Sequence, residues 1–408
     1  MMRYEPGKRT EENMTKNKIA QDVIYLASCA VNETMPDPER VAAMDLDAVY
    51  RLAHWQSLAA TLAPALEAAG MQDKRFAKAL QRSVMKSVTM DAEMGVVFRA
   101  LDAAGIWHMP LKGTVLQHLY PVRGMRQMSD HDILFDVTRA DDVRAIMEGL
   151  GFSTEDFGVS NHDVYHKEPV CNFEMHRELF GPSHDEKLYE YYRDVEKRLI
   201  GDGYEKHLSP EDFYLHVIAH DYKHYSWGGT GLRPLMDTWV YLQKVTLDMD
   251  YVTAEASKMG MAEFEAANRS LALHVFSGAE LTEAERERMD HILSSGVYGS
   301  AVHHVENMVT KRGYGKLGYA LDRFFVPVSP KNRNYAVFAG SYPLFYKHKI
   351  LLPLLPFYRT IRAMKAGRFQ AEAKAIKNAK YDPSNNALHS SGSEALFSVC
   401  RAWHTSNR

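Results

Sequence analysis

Cysteine is scarce in this chain: Cys29, Cys171 and Cys400 are the only three among 408 residues. They are odd in number, far apart and without zinc-site spacing, which argues against a disulfide framework and fits a reducing compartment. Long hydrophobic runs are also missing. The strongest, Ile350 to Phe357, is broken by prolines and too short to cross a bilayer. Met1 to Lys18 is polar and lacks the apolar stretch of a secretory leader, so a cytoplasmic protein is expected. Neither sign of charge dominates. With 49 Lys and Arg against 52 Asp and Glu the net charge is −3, and no global basic field points to nucleic acid. No internal repeat is visible. What is present is ordinary globular composition, 46% hydrophobic and 25% charged, in a chain long enough for two or three domains.

The pattern predicts an α+β protein whose small mixed sheet is flanked by helical regions. A polar tail over 1–17 precedes helices over 18–104, expected at Ile19 to Val31, Leu46 to Ala69 and Phe76 to Ala104, with Gly70 and Gly105 closing the last two. Mixed elements fill 105–182. Ile106 to Leu111 reads as a strand, Lys112-Gly113-Thr114 as a turn into a short helix, and Met128 to Val137 as the next strand. Thr138 to Asp141 looks like a cap for a helix over Asp141 to Leu150, and Phe152 to Glu155 and Val170 to His176 read as further strands. Helices return over 183–380. Ser209-Pro210-Glu211-Asp212 is a strong start signal, with serine as cap, proline at the first helical position and acids in the first turn. The Ser- and Asn-rich 381–408 reads as a second flexible tail.

The most informative segment is Met128 to Phe135, in which Asp130 and Asp132 stand one residue apart on an expected strand. Alternation turns both carboxylates to one face, where like charges raise each other's pKa unless a cation lies between them. A metal site explains the pair. The plainer alternative is a solvated strand end, against which stands the apolar Ile133-Leu134-Phe135. Upstream, Gly113 and Thr114 follow a strand and open a helix, a geometry that lets backbone N–H groups approach phosphate oxygens, with Lys112 adjoining. Downstream, Glu174 sits among apolar residues on a further strand, as a third ligand or as the partner of an arginine. Three carboxylates on neighbouring strands suit two Mg²⁺ ions, with Mn²⁺ as the alternative, and support in-line attack on a nucleoside triphosphate such as ATP.

In this order, Gly113-Thr114, Asp130-His131-Asp132-Ile133 and Glu174 resemble the pattern of the polymerase-beta-like nucleotidyltransferase superfamily. More narrowly, Leu111-Lys112-Gly113, Tyr120-Pro121, Arg126 before the two aspartates, and Glu174-Met175-His176 resemble an uncharacterised bacterial nucleotidyltransferase family. The likeness continues through His220-Asp221-Tyr222-Lys223-His224, Leu232-Arg233 and Asp237, and extends over roughly 50–368. It implies a polymerase-beta-like core, with Asp130, Asp132 and Glu174 as catalytic metal ligands. Two positions depart from the pattern. Thr114 replaces the usual Gly or Ser, and His131 stands where an apolar residue separates the acids, which implies polar surroundings on the opposite strand face.

Other residues admit two readings. Lys112, Arg123 and Arg126 suit a triphosphate clamp, or are ordinary loop cations. His216, His220 and His224 recur every four residues and line one helix face, as core histidines, as nucleotide contacts with Lys223 (Lys223 and His224 foremost), or as the start of a zinc site that lacks the glutamate and third ligand of zinc hydrolases. Arg233 and Asp237 make an intrahelical pair, or Asp237 orients a catalytic group. Lys347, Lys349, Arg359, Arg362, Lys365, Arg368, Lys374 and Lys377 form a solvated basic face or a weak contact with an anionic surface.

The expected activity is metal-dependent transfer of a nucleoside monophosphate to an unidentified small molecule, peptide, protein or RNA. The alternatives are a catalytically silent nucleotide-binding or regulatory protein on the same fold, and a metal-dependent hydrolase using His220 and His224.

Overall fold

The computed structural model describes residues 6–181, 185–296, 301–312, 315–325, 328, 338–339, 341–365 and 368–378. The expected tail over 381–408, with Cys400, lies outside them. The fold is α+β, with a small mixed sheet among many helices. Two compact units are present, one of Met1–Lys223 with Thr230–Tyr298, the other of His224–Gly229 with Gly299–Arg408. Among the described residues no helix is long and apolar enough to cross a membrane.

The first unit begins with helices α1 (Pro6–Val31), α2 (Pro38–Ala42), α3 (Leu46–Trp55), α4 (Ala59–Ala68) and α5 (Lys74–Ala103). The stretch expected as one helix over Leu46 to Ala69 is two. Ser57 adopts φ +52°, a left-handed conformation that no helix continues. Of the stripe expected through Leu52, Trp55, Leu58, Leu62 and Leu66, the last three are buried, Leu52 is half-buried and Trp55 is exposed, because the break turns the two helices to different faces.

Five strands follow: β1 (His108–Pro110), β2 (His131–Phe135), β3 (Ser153–Asp156), β4 (His162–Lys167) and β5 (Cys171–His176). Their order is β1-β2-β5-β4-β3, and β2 runs parallel to β5 while the other pairs are antiparallel. Helix α6 (Lys112–Leu116) joins β1 towards β2, and α7 (Ala140–Gly149) leads to β3. The cap expected at Thr138 falls two residues earlier. Asp136 Oδ1 accepts from the Thr138 N–H and hydroxyl and starts a 3₁₀ turn that runs into α7.

One face of the sheet is the core. Ile133, Phe135, Tyr165, Phe173 and Met175 pack there against Met90, Val97 and Leu101 of α5 and Val143 and Met147 of α7. At roughly 1.5–3 kcal/mol for each large apolar side chain buried, this cluster fixes which residues of β2, β4 and β5 face the other way.

The unit closes with α8 (Glu186–Tyr192), the first turns of α9 (Pro210–Gly228), α10 (Leu232–Lys244), α11 (Met249–Lys258), α12 (Ala262–Ser277) and α13 (Glu283–Ser295). The Asp212 N–H donates to Ser209 Oγ, so the serine caps α9 as its position predicts. In the second unit, α14 (Ala301–Arg312) and α15 (Lys316–Phe325) share a small core of Val305, Val309, Tyr319 and Ala375. The helix Leu355–Lys365 there leaves Phe357, Ile361 and Met364 exposed beside Arg362 and Lys365.

Candidate active site

Register places the acids. Asp132 of β2 pairs with Glu174 of β5, and His176 of β5 with His162 of β4, so all four project from the face opposite the core. Asp130 lies just before β2 rather than within it. It is half-buried, and its Oδ1 accepts from the Ser129 hydroxyl.

Asp132 is the best-connected group of this face. Its Oδ1 accepts from Lys112 Nζ at 2.9 Å and from His176 Nε2 at 2.7 Å. Burial works to raise its pKa, but the Lys112 ammonium and the His176 bond outweigh it and hold the carboxyl well below the usual range. His176 is itself pushed down to about 4 by burial and then by the Lys112 charge, so it stays neutral and donates through Nε2–H.

Glu174 and Asp130 behave oppositely. Burial first, then the charge of Asp132 and in turn of Asp130, pushes Glu174 up to about 7, and burial with the Asp132 charge raises Asp130. Glu174 Oε2 lies 3.7 Å from both His162 Nε2 and His176 Nε2. Burial, then the Lys112 charge, pushes Lys223 of α9 down to about 8, and Asp132 and Glu174 act on it in the other direction.

The turn before β2 is built against the same strand. Leu111 N–H donates to Asp132 O, Thr114 N–H closes on Leu111 O, and between them Lys112 takes φ +41°, an uncommon conformation for a residue with a side chain. A Cβ on Gly113 would collide with the Arg126 guanidinium. That guanidinium is fixed by a two-point pair with Asp237 of α10, Nε to Oδ1 at 2.8 Å and Nη2 to Oδ2 at 2.9 Å, and Tyr120 Oη donates to Asp237 Oδ1 at 2.7 Å.

A family model described as Uncharacterised nucleotidyltransferase matches residues 42–277, more than half of the chain. The chain belongs to that family. No curated protein and no solved structure matches it. Membership supports nucleotidyl transfer as its general chemistry, with a nucleotide as substrate.

The other predicted positions fall as follows. Lys112, Gly113 and Thr114 adjoin the acids; Thr114 is buried, and its Oγ1 lies 3.1 Å from His131 Nδ1. Arg126 reaches the same turn with its guanidinium already engaged by Asp237, which accordingly pairs with Arg126 and Tyr120, while Arg233 donates to Gln127 O. Arg123 pairs with Asp91 of α5. His224 belongs to the second unit. His216 is a core histidine, edge-on to Phe180 and Tyr192 with neither ring nitrogen hydrogen-bonded.

The departure at His131 has a physical account. The ring is fully buried on the core side, where Nδ1 meets Thr114 and Nε2 lies 3.5 Å from Asp91 Oδ1. Asp91 accepts from Gln117, which in turn accepts from Ser87. His131 is therefore the hub of a polar seam between β2 and α5.

Sequence reasoning missed His162, because it sits on a strand that was not assigned. Its signal was the Val164-Tyr165 pair within His162 to Lys167, preceded by the turn-forming Ser160-Asn161. Among the described residues, the group whose ligand atoms converge enough to hold a metal is His162, Glu174 and His176, all within 4.8 Å of one another.

Proposed function

We propose that the protein moves a nucleoside monophosphate from a nucleoside triphosphate to an acceptor hydroxyl or phosphate, with release of pyrophosphate. The observation that carries this reading is Asp132 in register with Glu174 on one polar sheet face, Asp130 at the strand entrance and Lys112 beside them. In such a transfer an acceptor oxygen bonds to the α-phosphorus as the bond from that phosphorus to its bridging oxygen breaks. Pyrophosphate leaves with the electron pair, and the acceptor's proton passes to a base. Glu174, titrating near neutrality, suits that role.

The three acids outnumber the single ammonium bonded to Asp132, and the Asp132 charge raises both Asp130 and Glu174, which favours a divalent cation on charge. Among the described residues, the ligand atoms that converge within 4.8 Å are those of Glu174 with His162 and His176 rather than those of the three acids. Asp130 and Asp132 would hold Mg²⁺ or Mn²⁺, with Glu174 either completing that set or serving as the base, and the ion when bound would neutralise phosphate charge and polarise the acceptor oxygen. Lys112 and Lys223 add cationic charge for the triphosphate. Arg126 acts through the turn, its guanidinium packed against Gly113 in the space that a Cβ would need.

The test is triphosphate consumption with Mg²⁺, followed as pyrophosphate release. Asp132→Ala is expected to lower turnover about 10²-fold or more, as loss of one preorganised electrostatic group does. Unchanged turnover in the double variant Asp130→Ala, Asp132→Ala would overturn the assignment. One observation favours a second reading, a nucleotide-binding protein without turnover: Lys112 and His176 already saturate Asp132 Oδ1. Tight triphosphate binding with no pyrophosphate released is its signature.

A further inference from the structure

The sheet face that carries the acids also carries two imidazoles. His162 and His176 are direct cross-strand partners on β4 and β5, with ring centroids 5.2 Å apart, and each presents Nε2 3.7 Å from the same oxygen, Glu174 Oε2. The third contact of this group is Asp132 Oδ1, 2.7 Å from His176 Nε2. Ligand atoms bound to one metal at about 2.0–2.2 Å lie roughly 3–4 Å from each other, so the two 3.7 Å separations already suit a single ion. The group as a whole, within 4.8 Å, would close up, and His176 would move its proton from Nε2 to Nδ1 and give up its bond to Asp132 on ligation. The side chains are held from behind. Phe173 and Met175 lock β5 into the core on the other face, and the ladder fixes His162 opposite His176.

Imidazole nitrogen changes which ion such a site prefers. Mg²⁺ demands oxygen and keeps its waters, whereas a two-histidine, one-carboxylate set suits first-row transition ions. We propose that His162 and His176 act with Glu174 as ligands of a divalent transition ion of the Zn²⁺ or Co²⁺ class, making this a mixed nitrogen–oxygen centre rather than an all-carboxylate one. The inference deepens the transferase reading and rests on its metal site, since the ion would lie against Asp132.

Co²⁺ is the probe, because its visible absorption reports nitrogen ligation and its binding can be followed by calorimetry on the full-length chain. Stoichiometric Co²⁺ with ligand-field bands of a mixed site is expected. His162→Ala should weaken Co²⁺ about tenfold or more, the lower end of what losing even an outer partner costs a metal centre, and leave Mg²⁺ affinity within about twofold. His176→Ala should weaken Co²⁺ to a similar degree. Because His176 also supports Asp132, the half-exposed His162 is the deciding position. Co²⁺ bands and affinity unchanged in His162→Ala would overturn the proposal. Pyrophosphate release assayed in parallel separates the two readings. No release with either ion, alongside histidine-dependent Co²⁺ binding, removes the transferase and keeps the metal centre. Release with Mg²⁺ and no histidine dependence of Co²⁺ removes the metal centre and keeps the transferase.

Discussion

Asp132 and Asp237 are both buried, and each is held by a cation and a second donor, yet the two are built to opposite ends. Asp237 receives the planar fork of Arg126 on both oxygens and the Tyr120 hydroxyl besides. Asp132 takes both its hydrogen bonds on Oδ1, one from a flexible lysine. Arginine's fixed fork makes a closed, geometrically specific pair, whereas an ammonium on a four-carbon stem is a point charge that can leave. The first arrangement is structural. The second leaves a carboxylate ready to exchange partners, which is what a site that binds and releases ligands needs.

The sharpest way to break this comparison is Asp237→Ala. It strands the Arg126 guanidinium in the interior, so unfolding in denaturant should show a loss of about 3–5 kcal/mol, the usual cost of removing one partner of a buried pair. A loss under about 1 kcal/mol would mean that the pair is not the anchor described. Gly113→Ala attacks the same anchor from the turn side. The added Cβ needs the space of the guanidinium, and roughly 1–3 kcal/mol of destabilisation is expected by thermal melting. Asp132→Ala should destabilise the fold less than Asp237→Ala while costing more in turnover, and the reverse ranking would erase the distinction.

Asp221 extends the comparison to a third buried aspartate, whose Oδ1 has no hydrogen-bond partner. Burial pushes it up from 3.8 to about 7, against the opposing effects of Arg288 and Thr230. A carboxyl whose folded pKa lies above its unfolded value binds its proton more tightly in the native state. Its contribution to stability is therefore full below 3.8 and is lost as pH rises through about 7. Asp221→Asn should gain stability relative to the parent across that window and show a flat difference above it, measured by melts at fixed ionic strength. A difference that does not change with pH would refute the shift.

Much of this was legible beforehand where a local rule decides the outcome. The last three leucines of the expected stripe, Leu58, Leu62 and Leu66, the Ser209 cap and the alternation around Asp132 each follow from spacing alone, whereas Trp55 of the same stripe is exposed. What escaped depends on partners far along the chain. Arg126 meets Asp237 across 111 positions, and no helical period favours that pairing over the Arg233 four residues away. His131 looked anomalous because its polar neighbour Asp91 lies on a different element. His162 was lost with β4, a short strand carrying His, Asp and Lys and few apolar residues to announce it.

The parallel ladder in which Asp132 faces Glu174 also places His131 beside Phe173 and Ile133 beside Met175. A slip of β5 by one residue would turn Glu174 into the apolar layer, expose Phe173 and Met175 in the same movement and leave Asp132 without its partner. Functional geometry and foldability are thus written in the same hydrogen bonds, so any chain that has collapsed correctly already has its acids aligned. Diversification towards a new acceptor would then fall to the surrounding helices and turns, since the strands have no freedom to drift.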